Sequence, residues 1–533
     1  METTPNSTNS SIRASNIAKN VSGKLFGPDN LFTGIFNILG DSNSGDMVIR
    51  HWINEQGVEM AAKKGVCGII TTDAREGAVE YAIKHGISLI LVEKIEVANA
   101  FAIAWTVNRF APESRRIVIT GTNGKSTTTH MIYHILKTSR WSVYTNTDSK
   151  SEFNTLIDPM VAKQISEFAL NVKNNYGQNN SENLENFEDL ENLENRENTE
   201  YSESSSCGKS AIDALIIEVS EVQGWLDKVM KNHAFLMTKA IDPNVVVITN
   251  VALDHIGLVN SIEEAYDEIS GAVKAINTGF VVLNSDDHLV KKMADSLNTG
   301  VIPFYHGSGC DLEFRGESGG IYFKKKLLIE TDKLPFKSQH FIENTLSAIS
   351  ACISLELPLE DIVNGVTSYR ALNRRFSIIN ESPRIIDDFA HNPDGIRATI
   401  KSAASLTNTS TKDNNNNNNN NKLWVVCSIR GSRGDEINYI NSQALSDSLN
   451  ELKLDFELVV SASSDVVDNL NVVEEYEKKI FLETLESNQI NYIFKETLES
   501  SLKNVLLKAK VTDTILLIGA QGMDPASELI DSF

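Results

Sequence analysis

The run Thr120-Gly121-Thr122-Asn123-Gly124-Lys125-Ser126-Thr127 combines the parts needed to hold a chain of phosphates. Two glycines let backbone N–H groups approach an anion closely, and a helix opening at Lys125 turns its positive end toward it. The lysine reaches terminal phosphates, and a hydroxyl can serve a Mg²⁺ ion. Where the common phosphate loop has its first glycine, this chain has Ile119. An ordinary Gly-rich turn before a surface helix is the weaker reading, because strand, loop, Lys-Ser pair and helix all occur in register. Two further residues follow apolar strands: Glu218 after Ala214-Leu215-Ile216-Ile217, and His255 shortly after Val245-Val246-Val247-Ile248. Singly, each would be an ordinary strand-end carboxylate or loop histidine. Ligands gather at the carboxyl ends of strands in open α/β sheets, so Lys125, Glu218 and His255 are expected to converge on one magnesium-bound nucleotide.

Such a site needs parallel sheets to build it. Apolar runs of strand length alternate with helical stretches along most of the chain, which predicts helix-covered parallel sheets, an α/β fold. A first group holds strand candidates Cys67 to Thr72 and Ser88 to Glu93, with a helix at Glu76 to His85. A second opens at Arg115 to Thr120 and continues through Ala214 to Ser220, Val245 to Val251, Phe280 to Asn284 and Val301 to Tyr305. A third contains Arg384 to Ala390, Leu423 to Ser428, Glu457 to Ala462, Tyr492 to Phe494 and Thr514 to Gly519. Three domains are therefore expected, at residues 1–110, 111–382 and 383–533.

A chain of 533 residues with 41% hydrophobic content is too long for one core and apolar enough for several. Its formal charge of −22 opposes non-specific binding to nucleic acid or anionic membrane. The five cysteines are scattered without metal-ligand spacing, and the first residues lack a basic and apolar leader, which reads as a cytoplasmic protein. A monomer is expected. Two stretches read as disordered surface loops: residues 172–206, with an acidic residue at almost every third position from Glu182 to Glu203, and the run Asn414 to Asn421.

The phosphate loop and six later segments resemble the Mur ligases, the peptide-adding enzymes of cell-wall precursor synthesis, whose relatives include folylpolyglutamate synthases. The segments are Glu218-Val219-Ser220, Thr249-Asn250-Val251 with Asp254-His255, Asn284-Ser285-Asp286-Asp287, His340 to Asn344, Arg374-Arg375-Phe376, and Asp388-Phe389-Ala390-His391-Asn392-Pro393-Asp394-Gly395. They stand in the family's order from Thr120 to Gly395. The resemblance implies three α/β domains, with a central P-loop ATP-binding domain and a Rossmann-like C-terminal domain. It also implies an ADP-forming carboxylate–amine ligase that works through an acyl phosphate. ATP would be held by Gly121, Thr122, Asn123, Gly124, Lys125, Ser126 and Thr127, with Asn344 at adenine, and with Arg375 and Asp388, the latter on the ribose. Mg²⁺ would be held by Ser126, Glu218 and His255. The first domain would hold a nucleotide-linked peptide precursor, and the third the incoming amino acid.

Three departures stand out. Phe341 replaces the family's first Asn at the adenine segment, where stacking would be its substitute. The segment Ser463 to Val467 lacks the Asp-Asn-Pro-Arg motif of diaminopimelate-adding members. The family's carbamylated lysine falls, by spacing, on Ile269, leaving a carboxylate such as Glu268, or Glu218 and His255 unaided, to take its place. The pattern Glu218 to Trp225 most resembles archaeal pseudomurein peptide ligases. A folylpolyglutamate-type ligase and a nucleotide-binding, Mur-like protein without ligase activity remain alternatives. A P-loop kinase or GTPase is the reading from another class, and no Asn-Lys-x-Asp guanine motif supports the GTPase.

Overall fold

The computed structural model describes residues 11–147, 158–182, 212–225, 228–252, 261–316, 319–409, 421–469 and 471–533. Three large sheets organise these residues. The central sheet has nine strands, in the order Lys326–Glu330, Gly320–Phe323, Leu312–Arg315, Val301–His306, Gly279–Asn284, Val245–Ile248, Arg115–Thr120, Ala214–Glu218 and Val143–Thr145. From Leu312–Arg315 to Val143–Thr145 neighbouring strands run parallel. In the middle strands, as at Ile117–Ile119 and Val245–Ile248, β-branched side chains are buried on both faces, the composition that a helix-covered parallel sheet demands. The strand before the phosphate loop lies between Val245–Ile248 and Ala214–Glu218, so the turns after all three open at one edge.

The outer end of this sheet departs from the parallel expectation. Leu312–Arg315, Gly320–Phe323 and Lys326–Glu330 form an antiparallel extension. Its last turn places Lys324 and Lys325 at φ of 48° and 66°, the left-handed pair that a two-residue hairpin needs. Lysines give no sign of that turn in the sequence. Among the described residues, no helix is long and apolar enough to cross a membrane.

The first sheet orders Lys24–Phe26, Ser88–Leu91, Gly68–Ala74, Met47–Ile53 and Phe36–Asn37, parallel except at Lys24–Phe26. Helix Ile95–Phe110 joins it to the central sheet and packs against helices Asp158–Glu182 and His233–Ile241. Residues Ala98, Ala102 and Val107 of this helix share one hydrophobic core with Ile70 and Ile90 on one side and Val118, Ile217 and Met237 on the other.

The third sheet orders Ser377–Glu381, Arg384–Asp388, Thr514–Ile518, Leu423–Ser428, Phe456–Ser461 and Tyr492–Lys495. All neighbours are parallel except the opening hairpin, which spans the boundary expected at 382 and 383. Of the two stretches read as loops, residues 172–182 instead continue helix Asp158–Glu182. Residues 183–206 and Asn414 to Asn420 lie outside the described residues, as does His255.

Candidate active site

Gly124 caps helix Lys125–Thr138 at φ 80°, and the loop before it is clasped from the next strand. Thr122 N donates to Asn250 O at 3.1 Å, Asn123 N donates to Asn250 Oδ1 at 2.9 Å, and Asn250 Nδ2 returns a bond to Asn123 O at 2.9 Å. Thr122 Oγ1 donates to Ala252 O at 3.0 Å and accepts from Ala252 N at 2.9 Å. The Thr-Asn segment after Val245–Ile248 is therefore the splint of the phosphate loop. The opening N–H groups of the helix, at Lys125, Ser126 and Thr127, point out of its end, because a helix offers them no carbonyl of its own.

Lys125 Nζ donates to Gly121 O at 2.7 Å and Thr122 O at 2.9 Å, and lies 3.3 Å from Glu221 Oε2. Ser126 Oγ donates to Glu218 Oε1 at 3.2 Å, and Thr147 Oγ1 donates to Glu218 Oε2 at 3.2 Å. Asn146 fixes the backbone of Glu218 from both sides, accepting from its N–H at 2.8 Å and donating to its carbonyl at 2.9 Å. Burial pushes the Glu218 carboxyl above its ordinary range, opposed by the charges of Lys125 and Arg375 and by the two hydroxyls. A buried carboxylate beside a hydroxyl and two cations is a hard-oxygen site, and Mg²⁺, which keeps much of its water, needs few protein ligands. Ser126 and Glu218 therefore fit this ion. Among the described residues no three His, Cys, Asp or Glu side chains converge, so neither a zinc-like nor a caged metal site is formed by them.

The third sheet reaches this loop directly. Arg375 Nη2 makes a long 3.5 Å bond to Ser126 Oγ, and Asn392 Nδ2 donates to Asn123 Oδ1 at 3.0 Å. Burial lowers the Arg375 guanidinium from its ordinary value, and the carboxylates of Asp388 and Glu218 oppose this. Arg374, its neighbour, turns the other way: it bonds Gly519 O, Ala520 O, Asp387 and Asp524 of the third sheet's end. Left-handed backbone at Arg374 and Phe376, φ 58° and 57°, accompanies this parting of adjacent arginines. Asp388 Oδ1 accepts from Ala390 N at 2.9 Å and from Thr399 Oγ1 at 3.0 Å, which orients it at the strand end.

Lys125, Ser126, Glu218 and Arg375 are thus brought together, while Thr127 lies buried in the same helical turn. Asn344 lies against the loop: a Cβ on Gly124 would stand 2.2 Å from Asn344 Oδ1. Phe341 is no stacking platform. It is 2% exposed and packs in the core, with ring centroids 4.3 Å from Phe336 and 6.0 Å from Tyr369. Ile269 is fully buried in the shared core, whereas Lys274 on the same helix is exposed. Glu268 accepts from Asn232 N at 2.6 Å beside Lys231, so its carboxylate is already engaged there. Lys274→Ala is accordingly expected to keep most activity, and added bicarbonate to leave the rate unchanged. Initial rates in CO₂-depleted and bicarbonate-supplemented buffer check both.

Sequence reasoning missed Thr147, Asn146 and Glu221. The first two follow a three-residue strand with no motif around it. Glu221 stood in view three residues after Glu218, but nothing local connects it to Lys125.

Two family models match the chain: Mur ligase middle domain over residues 119–352, and Mur ligase, glutamate ligase domain over residues 374–521. The chain belongs to the Mur ligase family. Among curated relatives, a UDP-N-acetylmuramate--L-alanine ligase of Clostridium acetobutylicum is 30% identical over 172 residues, covering 30% of this chain and 37% of the relative. The match thus spans well under half of that relative's length. Among solved structures, MurF from Acinetobacter baumannii is similar over 97% of this chain and 98% of its own, with 17% identity and a TM-score of 0.65. A bifunctional folylpolyglutamate synthase/dihydrofolate synthase from Yersinia pestis, complexed with AMPPNP and a Mn ion, covers 81% of this chain and 92% of its own, with 16% identity and a TM-score of 0.53. At these identities the structures speak to the fold, which is the three-domain Mur ligase architecture.

Proposed function

We propose that this Mur ligase family member is an ATP-dependent, ADP-forming carboxylate–amine ligase of the cytoplasm, working as a monomer. The observation that carries the reading is the meeting of Lys125, Ser126, Glu218 and Arg375 at one phosphate loop, with Arg375 arriving from the segment that enters the third sheet. A carboxylate has no good leaving group. Transfer of the γ-phosphoryl of ATP onto its oxygen gives an acyl phosphate and ADP, and attack of an amine on the carbonyl carbon then forms the amide and expels phosphate. Lys125 and Arg375 would hold the transferring phosphoryl oxygens, and Ser126 and Glu218, with His255, would hold Mg²⁺. That ion supplies positive charge where negative charge builds up. Asp388 and Asn344 would hold the rest of the nucleotide. Asn392 on Asn123 would join the third sheet to the loop, which shields a hydrolysable intermediate from water.

The residues 1–110 would hold the acceptor, a nucleotide-linked cell-wall peptide precursor, and the residues 383–533 the donor amino acid. The name of the Clostridium relative supports a muramate-type acceptor and alanine as a donor to try first, and the Glu218 to Trp225 pattern supports the pseudomurein branch. The test is ADP release by purified protein over nucleotide-linked peptides combined with each amino acid. Release that requires both partners, with an amide product of matching mass, is expected. Release with folate and glutamate instead would move the assignment to the folylpolyglutamate branch, and tight nucleotide binding without any release would leave a binding protein.

A further inference from the structure

Glu221 has no role in the scheme above, yet its side chain is 2% exposed and faces the Lys125 ammonium, itself 11% exposed. Lys125 has three N–H groups and three acceptors: Gly121 O, Thr122 O and Glu221 Oε2. A phosphate oxygen can be taken up only by exchange for one of them, since an ammonium has no fourth proton. The two carbonyls are neutral and belong to the loop itself. The third is an acidic side chain in a place with little water, 3.3 Å from the ammonium, and it is the partner that phosphate must contend with. Removal of the ammonium from a buried carboxylate is unfavourable, because the desolvated charge then loses a counter-charge.

We propose that Glu221 is a positioning residue for Lys125: its carboxylate anchors the ammonium beside the loop and competes with nucleotide phosphate for it. Glu218, three residues earlier on the same segment, is held by Ser126 and Thr147, with the Lys125 charge acting on it but not in direct contact. The two carboxylates thus divide the site, one facing the hydroxyl of the helix and one facing the lysine. The competition sets how tightly nucleotide binds, and so how readily ADP leaves after the reaction. This rests on the reading of Lys125 as the phosphate-contacting lysine, and the test separates the two.

The test is calorimetric titration with ADP and Mg²⁺, which needs neither acceptor nor donor. Glu221→Gln keeps the shape and an acceptor oxygen but removes the charge, so the nucleotide is expected to bind about fivefold tighter or more, the low end of couplings between two competing groups. A merely structural ion pair predicts the opposite sign, weaker binding together with a lower melting temperature. Unchanged or weaker binding in a variant that melts like the parent overturns the proposal. If Glu221→Gln does not fold, Glu221→Asp, which lengthens the contact, is expected to shift affinity in the same direction by less. In a Lys125→Ala background the gain from Glu221→Gln should largely vanish. A gain that persists undiminished means that Glu221 acts on phosphate by direct repulsion, and the positioning role fails. Lys125→Ala binding ADP as tightly as the parent sinks the phosphate-site reading itself.

Discussion

Lys125→Ala is expected to lower ligation by about a thousandfold or more, the loss seen when a principal charge at a transferring phosphoryl group is removed. That corresponds to about 4 kcal/mol of transition-state stabilisation. Folding should survive. Lys125 opens its helix at the mouth of the loop, and its contacts are with Gly121 O, Thr122 O and Glu221, none of them in a hydrophobic core. Glu221 loses the Lys125 ammonium in this variant, so a modest fall in melting temperature is compatible with the reading. The measurement is ADP release and product formation beside circular dichroism and thermal melting. Turnover within threefold of the parent, in a protein of unchanged fold, would overturn the assignment of the loop.

Gly121→Ala is the second large effect. Gly121 has φ 130°, where an L side chain is strained, and a Cβ there would stand 2.2 Å from Thr249 Oγ1, 2.9 Å from Asn250 O and 3.0 Å from Asn250 N. Two of those three atoms are backbone of the segment that splints the loop. Strand Arg115–Thr120 and the Asn250 segment would therefore have to separate. A shift of about 1 Å at positioned phosphates costs about a hundredfold in rate, and the strain itself about 1–3 kcal/mol of stability. Gly124→Ala differs in kind, because its Cβ would meet the side chain of Asn344, with Oδ1 at 2.2 Å, and a side chain can turn away. Both variants are expected to weaken nucleotide binding, with Gly121→Ala the less stable on thermal melting. Equal melting temperatures for Gly121→Ala and the parent would show that the two strands are not locked together as described.

The phosphate loop was legible because everything it needs is contiguous: strand, turn, lysine, hydroxyl and helix follow one another from Arg115 to Thr138. The parallel strands were legible for a related reason, since burial on both faces leaves β-branched runs such as Val245–Ile248 that read as strands without context. What could not be read depends on partners far along the chain. Phe341 looked like a residue facing the base, and only its neighbours Phe336 and Tyr369 make it core. Glu221 is chemically silent until Lys125, almost a hundred positions earlier, is placed beside it. The hairpin at Lys324 and Lys325 adopts a turn that its residues do not favour, a choice imposed by the sheet edge it extends.

Helix Ile95–Phe110 carries a last implication, for how the chain comes apart. Its buried face is held in common by the first and central sheets, so separating them would bare Ala98, Ala102, Val107 and the residues packed on both sides. The third sheet keeps its own cores, around Ile386, Val425 and Leu516 on one face and Val426, Val459 and Leu517 on the other. It meets the rest through polar contacts such as Asn392 to Asn123 and through Phe336. A hydrogen bond of that kind contributes only about 1 kcal/mol net, whereas a shared core contributes that much for each buried methylene or two. Three sheets therefore amount to two cooperative folding units: a large one that includes the phosphate loop, and a smaller one that can swing on its tether, or melt, without taking the loop with it.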